Sequence, residues 1–270
     1  LSDVPRSDPP LARAWAALRA EGRTALIPYL TAGYPVWETS LAALRGAAEV
    51  ADILEVGVPF SDPLADGPTI QRSTFEALQQ GMTLPRTLEL IAAARLGRPV
   101  VVFSYLNPIL RYGIDRFLRD AAEVGVAGLL LTDLPAGSDP RVEESVRGSA
   151  LDLIRLIAPT TPAERVRTAV EGAGGFIYLV GRLGVTGAST ALAADLAESV
   201  ARVREATTLP VAVGFGISTV DQARRVARIA DGVVVGSALV DALRTEGVAG
   251  AASFLRSLRD AVDELEAVRR

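Results

Sequence analysis

Glu55 stands inside an apolar run, Asp52-Ile53-Leu54-Glu55-Val56-Gly57. An unpaired carboxylate there costs several kcal/mol, or else its pKa rises and it stays neutral. Two readings follow: a strand-end salt bridge with an arginine, or a general acid/base of raised pKa. The loop that follows, Pro59-Phe60-Ser61-Asp62-Pro63-Leu64-Ala65-Asp66-Gly67-Pro68, has a shape defined by its prolines and glycine. Asp62 reads as a turn or helix-capping residue. Asp66 is close enough along the chain to fold back over Glu55, so that two carboxylates divide two roles at one site.

Other chemistry is closed by composition. The chain has no His, no Cys and no Lys, so all 28 basic residues are Arg. Without these residue types there is no Cys/His zinc site, no Cys nucleophile, no Ser-His-Asp triad and no lysine Schiff base or lysine-linked pyridoxal phosphate. No metal site is expected. Acid–base work falls to carboxylates, Tyr or solvent.

The last third of the chain carries the pattern of an anion site. Gly181-Arg182-Leu183-Gly184-Val185-Thr186-Gly187, Gly214-Phe215-Gly216 and Gly236-Ser237 each follow a β-rich run. Glycines let backbone N–H groups approach an anion, and a helix N-terminus adds its dipole. Without lysine, backbone donors and Ser237 would carry most of that work. Tyr29, Phe103, Ile157, Tyr178 and Phe215 are core residues or the walls of a flat aromatic substrate. Tyr105, Asn107 and Asp133 read as a hydrogen-bond network that positions loops.

These residues need a frame that brings them to one place. Apolar runs with little alternation begin near Ala25, Ala51, Pro99, Val126, Leu151, Gly175, Leu209 and Asp231. Such runs suit strands buried on both faces. Segments of helical period lie between them, such as 37–50, 115–124, 162–171, 191–206 and 219–229. Eight strands with eight crossovers predict an α/β fold, a single (β/α)8 TIM barrel spanning residues 1–270, with 1–9 as a flexible N-terminal segment. An open doubly wound sheet fits eight near-regular units less well. Residues 10–21 predict an extra helix before the first strand, over the barrel floor. The second crossover, with 68–80 and 84–96, predicts an additional helix. Barrel enzymes place function at strand C-termini and the loops after them, where the carboxylates and glycines fall.

The balance of 28 Arg against 32 Asp+Glu gives a net charge of −4, which argues against nucleic acid or an anionic membrane as main partner. A hydrophobic fraction of 49% fills a sizeable core and excludes disorder. No apolar run is long enough to span a membrane, and the polar, Pro-containing opening residues are not read as a signal peptide. A cytoplasmic location is the expectation.

The stretch from Leu54 to Gln71, LEVGVPFSDPLADGPTIQ, closely resembles the signature of the tryptophan synthase α-subunit family. Pro28-Tyr29-Leu30-Thr31-Ala32-Gly33, Tyr105-Leu106-Asn107-Pro108, Asp133-Leu134-Pro135, Gly184-Val185-Thr186-Gly187 and Val213-Gly214-Phe215-Gly216-Ile217 are similar to that family in the same order. The resemblance spans about residues 10 to 265; Gly181-Arg182-Leu183 departs from it. It implies a barrel lyase that cleaves indole-3-glycerol phosphate to indole and glyceraldehyde 3-phosphate without a cofactor, in tryptophan biosynthesis. It implies that Glu55 is the general acid/base and Asp66 the second catalytic carboxylate. Gly187, Gly216, Gly236 and Ser237 match phosphate-binding positions, Tyr178 an aromatic wall, and Thr186 the threonine of a loop that closes over the site. The implied partner is a β subunit carrying pyridoxal phosphate, in an α2β2 assembly with the 59–66 loop and the 107–108 and 133–135 regions in contact. A stand-alone lyase and a non-catalytic activating barrel are the alternatives.

Overall fold

The computed structural model describes residues 9–181, 190–214 and 216–269. Eight parallel strands close a barrel in sequential order, β1 (Ala25–Thr31), β2 (Leu54–Gly57), β3 (Val100–Ser104), β4 (Val126–Leu131), β5 (Asp152–Ile157), β6 (Ile177–Val180), β7 (Val211–Gly214) and β8 (Gly232–Val235), with β8 returning to β1. The expected TIM barrel is therefore present. Apart from Pro9, the segment 1–9 lies outside the described residues.

The helix α1 (Pro10–Glu21) is the extra N-terminal helix. Pro at its first position suits helix entry, and Gly22 ends it in the left-handed region at φ 71°. Its Leu11, Trp15 and Leu18 join Ile27, Val101, Ile154, Phe176 and Val234 in one buried cluster, so α1 plugs the floor of the barrel. A larger cluster lies between the sheet and the outer helices. Strand residues alternate between the two, as a period of two requires: in β1, Ile27 faces inward and Leu26 outward.

The second crossover holds two helices, α3 (Pro68–Gln79) and α4 (Leu84–Ala94), after α2 (Trp37–Ala48) in the first. The third also holds two, α5 (Leu106–Tyr112) and α6 (Ile114–Glu123), of which the short α5 was not expected. Its seven residues show no clear helical period, and Gly113 at φ 94° separates it from α6. The remaining helices are α7 (Pro140–Arg147), α8 (Ala163–Val170), α9 (Thr190–Ala206), α10 (Val220–Ala227) and α11 (Ser237–Arg269), the last broken at Gly247. Among the described residues no helix is long and apolar enough to cross a membrane.

Candidate active site

Strand register brings the predicted residues together. Tyr29 on β1 pairs with Glu55 on β2, and Gly57 pairs with Phe103 on β3. Tyr29, Glu55 and Phe103, one or two steps from their strand ends, wall a cavity of about 180 Å³. It is lined by Tyr29, Glu55, Phe103 and Tyr178 at the strand ends, by Asp66, Gly67 and Ile70 after β2, and by Gly216, Val234, Gly236 and Ser237. Carboxylates from β2 and its loop thus share one space with the glycine turns after β7 and β8.

Glu55 is 1% exposed, and among the described residues neither carboxyl oxygen has a hydrogen-bond partner. Among the described residues, then, no arginine forms the strand-end salt bridge. Burial alone pushes its pKa from 4.5 up to about 8. An unsatisfied buried carboxyl is rare enough in folded proteins to need a reason, and a partner that arrives with a ligand is one.

Asp66 is held differently. The Tyr105 hydroxyl donates to its Oδ2 at 3.1 Å and accepts the Ala65 N–H at 2.9 Å. The Tyr105 ring also packs on Phe60, centroids 5.1 Å apart. Burial raises Asp66 from 3.8 to about 6, partly opposed by the Tyr105 bond, while burial and the neighbouring Asp66 push Tyr105 up to about 12. Asp66 does not cap the following helix: Gly67 occupies the cap of α3. Asp62 accepts from Ser61 in the exposed part of the loop. Asp133 accepts the Leu106 N–H at 2.7 Å, fixing the start of α5, so Tyr105 and Asp133 act on loop backbone as expected.

Two tyrosines enclose the acid, and two glycines make room for them. A Cβ on Gly57 would lie 2.0 Å from the Tyr29 hydroxyl, and one on Gly214 2.1 Å from the Tyr178 hydroxyl. Each ring therefore lies over the bare backbone of the neighbouring strand. Tyr29 meets Phe103 edge to face, centroids 5.3 Å apart. Burial raises both tyrosine pKa values, helped at Tyr29 by Asp66 and Glu55 and at Tyr178 by Glu55, so both hydroxyls stay protonated.

Opposite the carboxylates, Gly216 turns at φ 82°, a left-handed conformation that favours glycine, and Ser237 opens α11 immediately after Gly236. Backbone donors at a helix start suit an anion. Gly187, Thr186 and Phe215 lie outside the described residues.

One expected wall residue is misplaced. Ile157 is buried and is not among the residues that line this cavity. Leu156 pairs with the cavity residue Tyr178, and Ile157 pairs with the outward Leu179. A one-residue step moves a strand side chain to the other face, but Leu156, 37% exposed, lines a separate pocket with Arg165 and Ala169 and not this cavity. Gly67, Ile70 and Val234 also line the cavity and were not singled out from the sequence. The even spacing of Val234 in β8 and Gly236 just after it was the available signal.

The fold and site define a barrel that presents a neutral buried acid and a second carboxylate to a small cavity also lined by the glycine turns after β7 and β8. The family model for the tryptophan synthase alpha chain matches residues 15–269. The chain is 48% identical over 268 residues to a tryptophan synthase alpha chain from Gluconacetobacter diazotrophicus, covering 96% of each. Its fold is similar to a solved tryptophan synthase of Mycobacterium tuberculosis, with a TM-score of 0.87, 41% identity, and 95% and 99% of the two chains covered. It is equally similar to a tryptophan synthase subunit alpha from Legionella pneumophila, with a TM-score of 0.87, 33% identity, and 96% and 100% covered.

The chain belongs to the tryptophan synthase alpha chain family. It is a lyase that cleaves indole-3-glycerol phosphate in tryptophan biosynthesis. It carries no cofactor of its own and pairs with the β subunit, which holds the pyridoxal phosphate.

Proposed function

We propose that Glu55 and Asp66 divide the retro-aldol cleavage of indole-3-glycerol phosphate between them. Glu55, neutral at pH 7, donates its proton to indole C3. The ring becomes an indolenine cation, and Asp66 accepts a hydrogen bond from its N–H and balances the charge. The Glu55 carboxylate then takes the proton of the adjacent glycerol hydroxyl. The oxygen forms a carbonyl, the C–C bond breaks, and its electron pair restores the aromatic ring. Indole and glyceraldehyde 3-phosphate leave, and Glu55 is again protonated.

Gly216, Gly236 and Ser237, with Gly187, would hold the phosphate by backbone N–H groups and a hydroxyl. Tyr29, Phe103, Tyr178 and Phe215 would wall the indole, and Thr186 would belong to the loop that closes over it. The same reading gives an α2β2 assembly in the cytoplasm.

The observation that carries this reading is the buried Glu55 carboxyl, without a hydrogen-bond partner among the described residues, on the cavity it shares with Asp66 and the glycine turns. Indole release from indole-3-glycerol phosphate by the Asp66→Asn variant tests it, with and without the β subunit. Turnover should fall by about 100-fold or more, the usual cost of removing one preorganised electrostatic group. Unaltered turnover would refute the role of Asp66.

A further inference from the structure

Asp241 lies one turn into α11, four residues after Ser237, and outside the cavity wall. Both its carboxylate oxygens reach across to α3. The Thr69 hydroxyl donates to Oδ2 at 3.0 Å, and Arg72 Nη2 donates to Oδ1 at 2.7 Å. Arg244, on the next turn of α11, stands 3.6 Å from Oδ1. Thr69 is three residues after Asp66, and no side chain caps the start of α3. Gln71, on the same first turns, donates to the Asp66 carbonyl at 2.9 Å and to the Pro63 carbonyl at 3.3 Å. An unbroken series of contacts therefore runs from the helix opened by Ser237, through Asp241 and the start of α3, to the backbone of Asp66.

We propose that Asp241 is a positioning residue that ties the Asp66 loop to the phosphate-gripping helix, so that the two halves of the site keep one spacing. The inference rests on the roles proposed above for Asp66 and Ser237. The geometry favours positioning over plain stapling. The Arg72–Asp241 pair is 41% exposed on each side, a setting in which an ion pair adds little to stability. The pair nevertheless acts at the root of a loop whose carboxylate must meet a ring N–H, and small misplacements of a reacting group cost rate steeply.

The test is a double-mutant cycle on the full chain with the β subunit present, read as separate kcat and KM values. Asp241→Ala should lower kcat about three- to tenfold with KM changed less than about twofold. Asp241→Asn, which keeps an acceptor for Thr69, should lie between it and the native chain. In the Asp66→Asn background, Asp241→Ala should cost almost nothing further, because there is no carboxylate left to place. Thermal midpoints establish that each variant is folded. A loss carried by KM, an equal loss in both backgrounds, or no loss at all overturns the proposal. Normal kcat in Asp66→Asn alone would overturn the Asp66 reading and the proposal with it, whereas a strong Asp66→Asn effect beside an inert Asp241→Ala overturns only the proposal.

Discussion

Replacing Glu55 with Gln keeps the size of the side chain and removes its proton chemistry. A carboxyl raised to about 8 is roughly 90% protonated at pH 7, so the native site holds its acid ready. Glutamine cannot donate that proton, and general acid–base groups supply about 10²- to 10⁴-fold. Indole release should fall by that amount while substrate binding persists.

The same substitution has a thermodynamic signature that needs no substrate. The folded-state pKa lies above the unfolded value of 4.5, so the folded chain binds this proton more tightly. The cost of Glu55 is absent below pH 4.5, grows as pH rises, and levels off above about pH 8. At about 1.4 kcal/mol per pH unit it reaches roughly 3 kcal/mol at pH 7 and roughly 5 kcal/mol well above pH 8. Any fixed penalty of burying the Gln amide does not vary with pH. Urea unfolding at pH 5, 7 and 9 should show the stability of Glu55→Gln relative to the native chain improving by about 2 kcal/mol from the first pH to the second, and by a further 1 kcal/mol or more at the third. A difference flat in pH would show that Glu55 is not held neutral by burial. Near-native indole release would remove it from the mechanism.

Further outcomes follow from the same geometry. The native kcat/KM should be bell-shaped, falling below about pH 6, where Asp66 takes up a proton and can no longer balance a cation, and above about pH 8, where Glu55 loses the one it donates; pH–rate profiles in which Asp66→Asn keeps the acid limb would count against this assignment. Gly57→Ala places a methyl 2.0 Å from the Tyr29 hydroxyl and 2.5 Å from the ring carbon that bears it, so the ring must leave its place beside Glu55; indole release should drop at least tenfold, and near-native release would show that the place of the ring does not matter.

The frame was legible because its signals are local and repeated. The run beginning at Ala25 and the helix over 10–21 coincide with β1 and α1, since buried parallel strands and an amphipathic floor helix show directly in the order of apolar residues. The crossover after β2 announced its two helices through separate runs starting at Pro68 and Leu84. Glu55 was legible for the opposite reason, as a charge where the pattern forbids one. The facing of Ile157 was not legible because it depends on register with β6, where it pairs with Leu179 and not with Tyr178, and a single strand does not carry that register. Whether Glu55 had an arginine partner was equally undetermined by the chain order, since any of 28 arginines could have supplied one.

The tuning of the acid follows from what surrounds it more than from what touches it. Without His or Lys, a barrel that must protonate carbon near neutral pH relies on a carboxyl of raised pKa, and at Glu55 the removal of water does the raising. The two glycines under Tyr29 and Tyr178 let phenol rings lie against the strands around Glu55. Neither hydroxyl hydrogen-bonds its carboxyl oxygens, so neither lowers the pKa that burial has raised. Asp66 is under the opposite requirement, and the Tyr105 hydroxyl offsets part of its desolvation. Two carboxyls at one cavity thereby stand on either side of pH 7, one protonated and one ionised, because Glu55 is fully enclosed with no bond to its oxygens while Asp66 is only partly buried and accepts the phenol bond.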